Sequence, residues 1–154
     1  MIKSYCKINL FLKVLKKLDN GFHDIQANNI LLKLHDNISI KPKPGNKDNI
    51  VFKGKFTKYI NKDKNSIIDT MLLLRKHKFI NFKQKYKITI NKKIPVFAGL
   101  GGGTSNAAFL IKYFFKNKIN KKILSIFEKK IGKNLRLFFL KNSFQKNLSN
   151  FKEF

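Results

Sequence analysis

Four of the chain's eight glycines fall between Gly99 and Gly103. They stand in the run Pro95-Val96-Phe97-Ala98-Gly99-Leu100-Gly101-Gly102-Gly103-Thr104-Ser105-Asn106-Ala107-Ala108. Glycine reaches positive φ and carries no Cβ, so successive backbone N–H groups can converge on one point and let a ligand approach closely. The apolar, helix-favouring residues that follow predict a helix whose first N–H groups are free and whose dipole is positive at that end. Thr104 and Ser105 add hydroxyls that can donate hydrogen bonds or face a metal carried by a phosphate. The stretch reads as a phosphate-binding loop. Two common loop patterns do not fit. There is no lysine between Gly99 and Ala108, as a Walker loop needs, and Thr104 stands where a dinucleotide fingerprint has its third glycine. The competing reading is a flexible glycine turn before a helix.

The rest of the chain supplies strands and helices in mixed order. Residues 2–15 alternate, with Ile2, Cys6, Ile8, Leu10, Leu12 and Val14 on one face. Lys3, Tyr5, Lys7, Asn9, Phe11 and Lys13 fall on the other, so a half-buried strand is expected with Lys7 beside Asn9. Asp19-Asn20-Gly21 and His35-Asp36-Asn37 read as turns, and Pro42–Asn46 as a loop. Residues 25–34, 38–40, 50–53 and 86–90 are strand candidates. Asn65 is placed to cap a helix from about Ser66 to His77. Further helices are expected at 104–115 and 121–130, followed by a short apolar element at 135–140. Beyond Lys141 the chain loses pattern. The class is α+β, in one domain.

The chain has 154 residues, 34 Lys+Arg against 8 Asp+Glu, and a formal charge of +26. Such a charge suggests a polyanionic partner. Yet nearly all the cations are lysine, scattered rather than clustered, and Lys, Asn, Ile and Phe are together abundant, as AT-rich codons would give. Specific nucleic-acid binding is therefore not expected. No apolar run approaches the ~20 residues of a membrane span. Lys7 and Lys13 interrupt the start as a signal peptide, and the single cysteine excludes an internal disulfide. A cytoplasmic setting, with neither membrane nor nucleic acid as partner, is the expectation. His23, His35, His77 and Cys6 lack metal-ligand spacing, so no protein metal site is assigned.

Three segments together resemble the GHMP kinases. Cys6-Lys7-Ile8-Asn9-Leu10-Phe11-Leu12 is similar to the family's opening strand, Asn20-Gly21-Phe22-His23 to its next signature, and Gly101–Ala108 to its glycine-rich motif. Within the family the pattern is most similar to the branch that phosphorylates 4-diphosphocytidyl-2-C-methyl-D-erythritol, in non-mevalonate isoprenoid synthesis. The resemblance implies a GHMP-kinase N-terminal, ATP-binding domain (ribosomal protein S5 domain 2-like) at 1–140. It implies ATP with Mg²⁺ as the phosphoryl donor and a cytidine-diphosphate-linked methylerythritol as the acceptor. It places Pro95, Val96, Phe97, Ala98, Gly99, Leu100, Gly101, Gly102, Gly103, Thr104, Ser105, Asn106 and Asn65 at the nucleotide. Lys7 falls beside the reacting hydroxyl, Asn9 at the substrate, and Phe22 and His23 at the cytosine. Positioning and charge neutralisation are what phosphoryl transfer asks of a protein.

The pattern departs from the family in two places. The catalytic aspartate position is Asn134, with Arg136 where the family has proline. An amide cannot accept the substrate proton. Residues 141–154 form an unpatterned tail in place of the family's further chain, so a missing C-terminal domain, or a separate segment from a split gene, is expected. Three readings follow: a kinase, an impaired remnant that at most binds nucleotide, and, least supported, a basic nucleic-acid module.

Overall fold

The strand β2 (His23–Lys43) runs the length of a six-stranded sheet and is shared by three neighbours. The structure is a computed structural model that describes residues 1–19, 21, 23–140, 142–147 and 150–153. Along one edge of β2 lies β1 (Ile2–Lys17), antiparallel, from Ile2 opposite Ile38 to Lys17 opposite His23. The other edge is divided. There β4 (Lys85–Asn91) pairs with Asn37–Lys43, and β5 (Asn142–Asn147) pairs with Ala27–Ile30. β3 (Asn49–Lys53) adds parallel to β4, and β6 (Asn150–Glu153) antiparallel to β5. Between the β4 and β5 pairings, residues 31–36 of β2 have no strand on that edge among the described residues.

Three helices complete the core: α1 (Ser66–Lys76), α2 (Gly102–Phe114) and α3 (Lys121–Ile131). Asn65 and Asn120 cap α1 and α3 by accepting backbone N–H groups on their side-chain oxygens, which satisfies donors a helix start leaves free. Ile38, Ile88 and Ile90 of the sheet meet Ile67, Met71 and Leu74 of α1, Leu110 and Ile111 of α2, and Phe127 of α3. Burying each such side chain contributes roughly 1.5–3 kcal/mol. A 3-10 segment, Lys133–Phe139, adds Leu135 and Phe138 to the same cluster. Among the described residues no helix is long and apolar enough to cross a membrane.

The α+β class stands, with local corrections, among them that Pro42 and Lys43, expected in a loop, end β2 opposite Tyr86 and Lys85. His35-Asp36-Asn37 is not a turn but lies inside β2, because the buried Asp36 carboxylate finds partners across the sheet. The apolar face expected along β1 is buried only at its start. Cys6 is fully buried, while Leu10, Leu12 and Val14 are 63%, 51% and 53% exposed. Register shifts between Tyr5 and Lys7, Asn9 and Phe11, and Val14 and Lys16 break the alternation that the sequence reading assumed. Finally, the unpatterned tail forms the strands β5 and β6. Its Ser143 and Gln145 are buried polar residues in register with Asn29 and Ala27, so hydropathy carries no trace of the pairing.

Candidate phosphate-binding site

β4 delivers the chain to the glycine run, and α2 carries it away. Phe97, Gly99 and Gly101 adopt φ of 62°, 72° and 67°, and Gly101 is the N-cap of α2. The helix therefore begins at Gly102, two residues before the position expected from sequence. Gly101 has no side chain to cap the first N–H groups of α2, and among the described residues no other side chain makes that bond. They remain available to an anion, at the positive end of the helix dipole.

Close packing explains Gly101 and Gly102. A Cβ on Gly101 would lie 2.8 Å from Phe138 Cζ and 3.5 Å from Lys7 Cγ. A Cβ on Gly102 would lie 3.0 Å from Ile94 Cγ2 and 3.4 Å from Lys92 Nζ. Gly103 is held from the α1 side, where Ser66 Oγ donates to its carbonyl at 2.7 Å. A cavity of about 480 Å³ opens over the loop. Residues Pro95 to Thr104 and Asn106 line it, with Asn65, Lys92 and the aromatic rings of Phe52 and Tyr59.

Lys7 reaches this loop from β1. Its backbone N–H donates to the Leu100 carbonyl at 3.0 Å, and its Nζ donates to Asn9 Oδ1. The expected pairing of Lys7 and Asn9 on one strand face is thus present. Burial lowers the Lys7 pKa from the ordinary lysine value. Asn9 lies opposite Asn29 of β2.

The hydroxyl residues divide. Thr104 lines the cavity. Ser105 does not: it is fully buried, its Oγ donates to the Tyr5 carbonyl and lies 2.7 Å from Ser4 Oγ. Ser4 Oγ also donates to Asn106 Oδ1 at 3.0 Å. These groups bind α2 to β1 beneath the loop. Asn65 lines the cavity, while its Oδ1 caps α1 through Ile67 and Ile68 and its Nδ2 donates to the Asn61 carbonyl at 2.9 Å. His23 is exposed at the start of β2, and Phe22 lies outside the described residues. Asn134 is exposed on the 3-10 segment and does not line the cavity. Two residues on, Arg136 grips the buried Glu128 with two hydrogen bonds of 2.8 Å. Cys6 is a buried filler whose thiol pKa burial pushes up. Among the described residues no three His, Cys, Asp or Glu side chains are grouped to hold a metal.

Lys92 was missed by the sequence reading. One lysine among so many gives no signal, yet this one is 4% exposed and paired with Asp36 at the base of the loop. Only the apolar pattern of β4, which ends beside it, hinted that its position was special.

Comparison with known proteins bears on the family and the fold. The family described as GHMP kinases N terminal domain matches residues 65–136, which span α1, β4, the loop, α2 and α3. A 4-diphosphocytidyl-2-C-methyl-D-erythritol kinase of Pelagibacter ubique is 40% identical over 120 residues, covering 78% of this chain and 42% of that protein. The chain belongs to the GHMP kinase family. A relative of the same name from Thermosipho melanesiensis is 36% identical over 146 residues, covering 91% of this chain and 48% of that one. The chain thus spans less than half the length of these two GHMP kinases. Among solved structures, a 4-(cytidine 5'-diphospho)-2C-methyl-D-erythritol kinase superposes with a TM-score of 0.71 at 20% identity, over 99% of this chain and 54% of that one. A mevalonate kinase follows at 0.64 and 20% identity, over 99% and 55%. These likenesses establish the GHMP-kinase N-terminal fold for the chain.

Proposed function

We propose that the chain binds ATP, as its magnesium complex, on the Pro95–Asn106 loop and transfers the terminal phosphoryl group to the 2-hydroxyl of 4-diphosphocytidyl-2-C-methyl-D-erythritol. The observation that carries this reading is the uncapped start of α2 opening on a cavity of about 480 Å³, with Lys7 bonded to the same loop. Backbone amides and a helix dipole stabilise the phosphates without reorganising during the reaction. Lys7 supplies a cation from the neighbouring strand to the oxygens on which charge accumulates. The bond from the hydroxyl oxygen to phosphorus forms as the bridging bond to the departing diphosphate breaks, and the hydroxyl proton leaves to solvent. In this reading Asn9, Phe22 and His23 hold the cytidine-linked acceptor, and Asn65 stands at the nucleoside end of ATP. The names of the similar kinases support the choice of acceptor. The cytoplasm is the proposed setting.

A second reading, nucleotide binding without transfer, is favoured by Asn134. An amide at the aspartate position offers no base, and it stands exposed.

Calorimetric titration with MgATP tests the loop. The parent chain is expected to bind, and Gly102→Val to lose binding, because Ile94 and Lys92 already fill the space a side chain needs. Equal binding by both would overturn the assignment.

A further inference from the structure

We infer that Asp36 is a positioning residue for the phosphate-binding loop, acting through Lys92, Lys93 and Ile94; the inference rests on the proposed nucleotide site. Asp36 is fully buried on the stretch of β2 that, among the described residues, has no strand on its β4 edge. Its Oδ1 accepts the backbone N–H groups of Lys93 at 2.7 Å and Ile94 at 2.8 Å. Its Oδ2 accepts from Lys92 Nζ. One carboxylate thus fixes three consecutive residues just where β4 ends and the loop begins.

Two of these three residues meet the far end of the loop. Ile94 and Lys92 are the nearest neighbours a side chain on Gly102 would meet. The entry of the loop at Ile94 and its exit at Gly102 therefore close on one another, and Asp36 sets their height. Residues 95–101 span a loop whose ends are both held by this clamp. Where the N–H groups of Gly102 to Thr104 point follows from that closure. Ser4, in register with Asp36 on β1, holds the next turn through Ser105 and Asn106, so β1 and β2 fix the start of α2 together.

The charge pair explains why an acid is used. A buried lysine ammonium and two backbone N–H groups together need an anionic acceptor with more than one oxygen. Asparagine keeps one oxygen but turns an NH₂ toward Lys92, donor against donor.

Two measurements separate the clamp from the nucleotide reading. Amide hydrogen exchange on the ligand-free chain addresses the clamp alone. Asp36→Asn is expected to speed exchange at residues 93–104 while α3 keeps the parent rates. Titration addresses its consequence: Asp36→Asn is expected to weaken MgATP binding about tenfold, the scale of one buried donor left unpaired. Adenosine, which has no phosphate, is expected to bind the two chains equally. D36N/K92M, which removes the Lys92 ammonium that opposes the amide NH₂ and keeps the accepting oxygen, is expected to recover most of the loss. If D36N does not fold, D36N/K92M is compared with D36A/K92M, which lacks the whole carboxamide and with it the accepting oxygen, and is expected to show the faster exchange and weaker ATP binding. Unchanged exchange at 93–104, or equal losses for ATP and adenosine, would overturn the clamp. A parent chain that binds no ATP, with exchange still raised in the variants, would sink the nucleotide reading and leave the clamp standing.

Discussion

Phe138 stands directly against Gly101: a Cβ on that glycine would come 2.8 Å from the ring. The 3-10 segment that carries Asn134 is thereby seated on the loop, and Lys7 Cγ borders the same point at 3.5 Å. Gly101→Ala must move the ring or the loop, and it must hold a φ of 67° that alanine disfavours. Overpacking of this kind costs about 1–3 kcal/mol and the left-handed backbone ~1 kcal/mol more. Denaturant unfolding is expected to show that loss, and MgATP titration a weakened site.

Lys7 predicts a pH dependence. Its folded pKa lies below the ordinary lysine value of 10.5, because burial disfavours the ammonium. Between that lowered value and 10.5 the unfolded chain binds more protons than the folded one, so stability rises with pH across this window. Measured by denaturation from mild to strongly alkaline pH, the parent is expected to gain stability relative to Lys7→Met as 10.5 is approached. A difference that stays flat would contradict the burial.

The same titration acts oppositely on transfer. If Lys7 works as a cation, the rate falls on the alkaline side at a pH below that of a free lysine. Lys7→Met is expected to reduce transfer by about 10²-fold or more, as removing a preorganised charge partner does elsewhere. A rate profile unchanged by the substitution would remove Lys7 from the chemistry.

Asn134→Asp is expected to raise the transfer rate. A positioned general base contributes on the order of 10²–10⁴. Because Asn134 is exposed, stability should change by no more than about 0.5 kcal/mol. Rates and melting curves of the two chains give both quantities.

Ser105 is expected to matter for the fold more than for the ligand. Its hydroxyl is spent on Tyr5 and Ser4. Ser105→Ala leaves a buried carbonyl without its donor, at a cost of about 1–3 kcal/mol. A double-mutant cycle with Ser4→Ala should show coupling, while the affinity for MgATP in the folded variant stays near that of the parent.

Much of this was legible in the sequence because the signals were local. The glycine run, the Asn65 cap and the alternation that sets Lys7 beside Asn9 each depend on a few adjacent residues, and all three appear in the structure. What failed depends on residues far apart. Asp36 resembles a turn residue until Lys92, Lys93 and Ile94, more than 50 positions on, supply its partners. Leu10, Leu12 and Val14 carry the pattern of a buried face, but nothing local says whether another layer covers it. β5 pairs through Ser143 and Gln145, buried without being apolar. Ser105 was expected at the phosphates, and only its distance from Ser4 shows where its hydroxyl goes.

The most direct measurement of the central claim is phosphorus NMR of the purified chain with MgATP and 4-diphosphocytidyl-2-C-methyl-D-erythritol. The predicted result is a new phosphomonoester on the 2-hydroxyl, formed faster by Asn134→Asp and lost with Lys7→Met. ATP that binds but yields no phosphomonoester with either the parent or Asn134→Asp would contradict it.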